Sequence, residues 1–307
     1  VPRLEHRLAV ASLLLVAACG GGGGGHSDRP ASPPPGVLPG FEHVIVVVFE
    51  NQNYSSIIGN GSMPYLNGLA SANSLATSFY ANTHPSIGNY FVMTTGGIVS
   101  DDDDFSGITS VDNVVRELLA AGKTWKLYAQ SLPAVGWMGG DVYPYIKHHN
   151  PFAYVSDVVG SAEAANMVSL TQFAADLAND ALPNFSFIVP DNQHNMHDCP
   201  AGMSSCSFAD KAANTDRWLE SNVGPLLANA DFRSNGFVVI TFDESGNDDA
   251  NGGGRIATLL VGPRVKQAYE GNGFYQHEAL LRLWLEALGV TSYPGQAANT
   301  SNMSEFF

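Results

Sequence analysis

The 307-residue chain predicts an α/β fold: a largely parallel central sheet with helices on both faces. Three runs carry that expectation. Val44–Phe49, Phe185–Val189 and Phe237–Phe242 are short and continuously apolar, the pattern of strands buried on both faces. Segments of helical spacing alternate with them, and such alternation brings parallel neighbours together in one sheet. No internal repeat is present, so residues 41–307 read as one domain.

Taken in order, the first strand is His43–Phe49. Met63–Asn73 has helical spacing behind Pro64, and Leu75–Ala81 is strand-like or extended. Pro85–Thr95 opens with a proline, which suits a first helical turn. Val111–Ala121 reads as a helix stopped by Gly122, with Thr124–Ala129 a short strand behind it. Residues 131–160 are rich in Trp, Tyr, Gly and His without periodicity, and read as an insertion that shapes a pocket. Leu170–Leu182 is helical and Asn184–Val189 a strand. Asp210–Ala228 is helical with a break expected near Gly224-Pro225. Gly236–Phe242 and Ile256–Val261 are strands, and Tyr275–Leu288 is an amphipathic helix.

The N-terminal region predicts export. Arg3 and Arg7 precede an apolar stretch, Leu8–Ala18, that leads into Val16-Ala17-Ala18-Cys19-Gly20. A basic start, a short apolar core and small residues describe a signal peptide over residues 1–18, too short for a membrane span. Cys19 after small residues resembles the bacterial lipoprotein signal, in which that cysteine is acylated; a simple cleaved signal is the alternative. Residues 19–40, with Gly20–Gly25 and Pro33–Pro35, read as a tether. The expected location is therefore a membrane-anchored lipoprotein facing the periplasm or cell surface. In that compartment Cys199 and Cys206 are expected to form a disulfide. A formal net charge of −15 argues against nucleic acid and against charge-driven membrane binding, leaving the lipid anchor as the expected membrane contact.

Chemistry concentrates where strands end. The three apolar runs are followed by Glu50-Asn51, by Asp191-Asn192-Gln193-His194-Asn195-Met196-His197-Asp198, and by Asp243-Glu244. Strand C-termini of one parallel sheet lie side by side, so these groups can converge. Carboxylates with Asn and His form a set that divalent metals accept, and a cation would relieve their mutual repulsion. Asn82–Tyr90 places Thr83 just ahead of a helix start, where an anion is favoured. Thr83 is read as a nucleophile or, alternatively, as a helix cap. Asp101–Asp104 reads as a solvated loop, with a calcium site as the alternative.

Glu50-Asn51, Thr83-His84-Pro85-Ser86 with Asn89-Tyr90, Met196-His197-Asp198 and Thr241-Phe242-Asp243-Glu244 together resemble the phosphoesterase family, from about Glu42 to Gly289. That family comprises bacterial phospholipases C and acid phosphatases of the alkaline-phosphatase-like superfamily. The resemblance implies an alkaline-phosphatase-like fold and one or two divalent metal ions. Glu50, Asn51, Asp243 and Glu244 match its metal-binding positions, with Glu244 a departure from the commoner Asp. Thr83 matches its hydroxyl nucleophile, and Asn89 is a candidate for a phosphate oxygen. Asp191 and His194 or His197, with His277, resemble a second metal site. The expectation is Asp191 and His194 as ligands and His197 and His277 as catalytic, since His can also donate to phosphate or leaving group. His84 and Asn192 are expected to bind substrate. The implied activity is an acid-phosphatase-type phosphomonoesterase acting on small phosphate esters through a phosphothreonine. A phospholipase C and a non-enzymatic solute-binding lipoprotein are the alternatives.

Overall fold

The computed structural model describes Val1 and residues 36–307; the expected signal segment, Cys19 and most of the tether lie outside the described residues. Eight strands form one sheet: β1 (His43–Phe49), β2 (Ser74–Ala76), β3 (Trp125–Ala129), β4 (Met167–Ser169), β5 (Phe185–Val189), β6 (Gly236–Phe242), β7 (Thr258–Val261) and β8 (Tyr269–Gly271). Their order is β4-β3-β5-β1-β6-β7-β2-β8. Only β7 runs antiparallel to its neighbours. The largely parallel α/β sheet read from the three apolar runs is the observed architecture.

The three strands that carried the fold prediction, β5, β1 and β6, are adjacent and buried along their whole lengths. Val46 of β1 lies between Phe187 and Val239. Each such side chain contributes roughly 1.5–3 kcal/mol on burial, which explains why the most apolar strands occupy the centre. β2 is shorter than expected. After Ala76 the chain leaves the ladder, and Phe79 and Tyr80 make isolated pairings with Tyr275 and Arg255.

Helices cover the sheet: α1 (Tyr54–Ile57), α2 (Pro64–Ala72), α3 (Ser86–Thr95), α4 (Val114–Ala120), α5 (Leu170–Ala178), α6 (Phe208–Ala228), α7 (Ala230–Asn235) and α8 (His277–Ala287). All ten residues of α3 are buried, so this helix belongs to the core on every side. α6 corrects an expectation, because it runs unbroken through Pro225. It starts at a capping box of Ser207 and Asp210, and Pro225 falls in its last turn. There the missing N–H forfeits one intrahelical bond near the end of the ladder, while buried Val223 and Leu226 keep the turn docked.

The 131–160 segment is partly core rather than wholly an insertion. Phe152 stacks on Trp125 with ring centroids 4.8 Å apart, and Tyr154 is buried against Phe91. Cys199 and Cys206 form a disulfide, closing the loop that follows Asp198. Among the described residues, no helix is long and apolar enough to cross a membrane.

Candidate active site

The register that pairs Phe49 with Phe242 puts the next residues of β1 and β6 side by side. Asn51 turns the chain with φ 51°, in the left-handed region that asparagine tolerates. Its main-chain N–H then donates to Asp243 Oδ1 at 2.9 Å, and the Glu244 N–H donates to the same oxygen at 2.7 Å.

Glu50 is fully buried and heavily solvated by donors. Tyr90 Oη and His149 Nε2 reach its Oε1 at 2.8 and 3.2 Å. Asn51 Nδ2 and Ser86 Oγ reach Oε2 at 2.9 and 3.1 Å. Burial, then the charge of Asp243, still pushes Glu50 well above the usual carboxylate range. Burial also raises Asp243, and burial with the Asp243 charge raises Glu244. His149 is driven the other way, to well below its ordinary value, by burial and by the neighbouring His148 and His197. Its 3.2 Å approach to Glu50 is therefore made by a neutral ring and is not an ion pair.

Three buried carboxylates thus crowd two strand ends, and among the described residues no Lys or Arg pairs with any of them. Asp243 Oδ2 is buried with no hydrogen-bond partner. No hydrogen bond reaches Asn51 Oδ1 or Glu244 Oε1 among the described residues either. Open, hard oxygens without a counter-charge are what a divalent cation accepts. The donor chemistry suits such an ion, although Glu50, Asp243 and Glu244 do not bring one oxygen each within 4.8 Å of one another.

Thr83 lies on the loop between β2 and α3, half-buried, its Oγ1 donating to His84 O at 3.1 Å. It does not cap α3, whose Ile87 N–H is taken by Asp103 Oδ1 at 3.0 Å. The loop is held by Asn89. Its Oδ1 accepts from the N–H groups of Asn82 and Thr83 at 2.9 and 3.2 Å. Its Nδ2 donates to Thr83 O at 2.8 Å and Glu244 Oε2 at 3.1 Å. His84 Nδ1 stands 3.2 Å from the same Glu244 oxygen. From the other side Gly253 packs so closely that a Cβ there would lie 2.5 Å from Thr83 O. The nucleophile candidate and the metal-ligand candidates therefore share one hydrogen-bond network.

A model of the Phosphoesterase family matches residues 59–290. The chain belongs to the phosphoesterase family. It is 32% identical over 232 residues to a phosphatidylinositol-3-phosphatase of Mycobacterium tuberculosis, covering 75% of this chain and 71% of that one. It is 30% identical over 254 residues to an acid phosphatase of Aspergillus fumigatus, covering 78% of this chain but 53% of the fungal protein. The chain thus spans about half the length of that fungal relative. A solved alkaline phosphatase superfamily protein from Vibrio parahaemolyticus aligns with TM-score 0.58 at 14% identity, over 85% of this chain and 70% of its own. That likeness concerns the fold, which is the alkaline-phosphatase-like one expected. By family the chain is an enzyme, a phosphoester hydrolase, which sets aside the solute-binding alternative.

Other expected site residues are placed differently in this phosphoesterase. Asn89 spends both lone pairs of its oxygen and both protons of its nitrogen on protein groups, so it positions Thr83 and has nothing left for a phosphate oxygen. His277 is fully buried, and its Nε2 donates to the main-chain carbonyl of Asp243 at 2.6 Å. Burial lowers its pKa to about 4, so the ring is neutral, and its Nδ1 is buried without a hydrogen-bond partner.

Asp191 and His194 sit on the β3 side of the loop after β5. His194 Nδ1 donates to Asp191 Oδ1 at 2.6 Å, and Ser131 Oγ, just past β3, donates to Asp191 Oδ2 at 2.6 Å. After β5 the loop turns Asp191 toward the β3 side, and it is the Asn195 carbonyl that returns to Glu50, accepting from its N–H at 2.9 Å. Asn192 braces that loop, its Oδ1 accepting from Asn195 Nδ2 at 3.1 Å. His197 does approach the site: it lies near His148 and His149, half-exposed, with Nδ1 held 2.8 Å from Asp198 Oδ1.

Two contributors escaped the sequence reading. His149 comes from the segment without periodicity, where only the His148-His149 doublet hinted at chemistry. Asp103, part of the run read as a solvated loop, binds the α3 N-terminus and adds its charge to Glu244. Asp101, Asp102 and Asp104 are exposed as expected. Among the described residues, one His/Asp/Glu triad has ligand atoms all within 4.8 Å of one another: Glu42, His43 and Asp231. It sits at the opposite, N-terminal end of β1, about 20 Å of strand away from Glu50, and takes no part in this site.

Proposed function

We propose that the chain is a metal-dependent phosphomonoesterase that works through a phosphothreonine. One observation carries the reading: Asn51, Asp243 and Glu244 hold open oxygens, and Asn89 ties Glu244, through its other carboxylate oxygen, to the main chain of Thr83. A divalent cation held by those oxygens, with Glu50 behind them, would supply charge to the phosphoryl oxygens and make a neighbouring hydroxyl more acidic. Thr83 Oγ1 attacks phosphorus, forming an Oγ–P bond as the ester P–O bond breaks; water then hydrolyses the phosphothreonine. The Asn89 clamp holds Thr83 in line, which lowers the entropic part of the barrier. His197, with Nδ1 engaged by Asp198, has Nε2 available to give a proton to the departing oxygen. His84, at the Glu244 edge, is placed to meet a phosphoryl oxygen.

The monoester reading is favoured over a phospholipase C because the two relatives are named as phosphatases. The test is turnover of p-nitrophenyl phosphate and of a phosphatidylcholine diester, with and without a chelator. Chelation should abolish monoester turnover and a returned divalent metal should restore it. Thr83→Ala should abolish it with the far-UV circular dichroism unchanged; normal turnover in that variant would sink the nucleophile assignment. The expected export signal places the enzyme outside the cytoplasm on a Cys19 anchor, and Cys19→Ser should then move it from the membrane to the soluble fraction.

A further inference from the structure

The segment between β3 and the His148-His149 doublet carries apolar side chains that face solvent. Val135, Val142 and Tyr143 are 64%, 47% and 59% exposed. Tyr143 and Pro144 form the tip of a tight turn, with Val142 and Tyr145 exchanging main-chain hydrogen bonds at 3.2 and 3.0 Å. Asp141 Oδ1 accepts from the Lys147 N–H at 2.7 Å, which closes the base of the turn. The tip is docked on the catalytic loop, because Pro144 O accepts from the Asn192 N–H at 3.1 Å. Tyr143 consequently lies beside Gln193 and Asp198, and Asp198 holds the His197 ring. Phe274, another exposed aromatic, stacks on Tyr80 at 5.5 Å, whereas Tyr143 has no ring partner among the described residues.

A rigid, exposed ring next to the residue that protonates the leaving oxygen is placed to meet whatever that oxygen is attached to. We propose that Val142 and Tyr143 form the leaving-group subsite and select phosphate monoesters whose leaving group is an aromatic ring. The inference rests on the phosphomonoesterase reading above. A ring fits better than a lipid surface for two reasons. The tip offers about one ring's worth of contact, far below what a membrane needs, and the chain's −15 charge opposes an anionic bilayer. Lys147, the cation on this turn, is folded onto the Tyr154 ring at 4.7 Å. Offset stacking of two rings is worth enough to change binding about tenfold at most.

The experiment measures kcat/KM for p-nitrophenyl phosphate and for glycerol phosphate in the wild type, Tyr143→Ala and Tyr143→Phe. The ratio of the two constants cancels differences in active fraction, and comparing that ratio between variants cancels intrinsic leaving-group reactivity. It should fall about five- to tenfold in Tyr143→Ala and stay within about twofold in Tyr143→Phe, which keeps the ring. An unchanged ratio in Tyr143→Ala overturns the subsite. So does co-sedimentation with phosphatidylglycerol vesicles that is lost in Tyr143→Ala while the ratio holds, since the tip would then face lipid. If the wild type hydrolyses neither ester, the phosphomonoesterase reading fails, and the subsite with it.

Discussion

Asn89→Ala separates a clamp from a phosphate ligand. The side chain makes four hydrogen bonds: two from the Asn82 and Thr83 N–H groups, one to Thr83 O and one to Glu244 Oε2. A net value of about 1 kcal/mol each, with Glu244 left buried and short of a donor, gives a loss of about 3–5 kcal/mol. In a domain of this size that lowers Tm by on the order of 10 °C. The freed Thr83 loop should cost kcat about a hundredfold, because misplacing a nucleophile by an ångström costs about that much. KM should change little. Thermal melts and steady-state kinetics on p-nitrophenyl phosphate read both effects. A variant with wild-type Tm and kcat but a raised KM would refute the clamp and return Asn89 to phosphate binding.

Two further outcomes follow from the geometry. Gly253→Ala places a Cβ 2.5 Å from Thr83 O, so kcat should fall by at least about tenfold; equal kcat in Gly253→Ala would show that the loop yields freely. Asp157 is held below the usual carboxylate range chiefly by its hydrogen bonds from Arg116. Its folded pKa is depressed, so its stabilisation is present above the unfolded value near pH 4 and is lost as pH falls through the folded value. Because Arg116 is well exposed, the effect should be no more than about 1 kcal/mol: Asp157→Asn should lower urea stability slightly at pH 7 and match wild type at the acid end.

The site was partly legible because some of its constraints are local. A run such as Val44–Phe49 can only be a buried strand, and polar residues just after it must emerge at the sheet's C-terminal edge. That argument reached Glu50, Asn51, Asp243 and Glu244 without any knowledge of strand order. It could not place Asp191 and His194, which bond each other and Ser131, because strand adjacency does not say which way a loop turns after the last residue of β5. It left Asn89 open as well: residue type alone allows a ligand or a brace, and only the fold shows its four hydrogen bonds going to protein groups.

By itself the sequence determined the sheet, the apolar centre and the residues able to hold a cation, since period and residue chemistry are properties of a few neighbouring positions. The tertiary structure alone decided what each polar group spends its hydrogen bonds on. His149 reaches Glu50 across 99 residues of chain, Asp103 joins the α3 N-terminus, and His277 faces the Asp243 carbonyl. Those contacts depend on how separate segments pack against one another, and no local pattern encodes that.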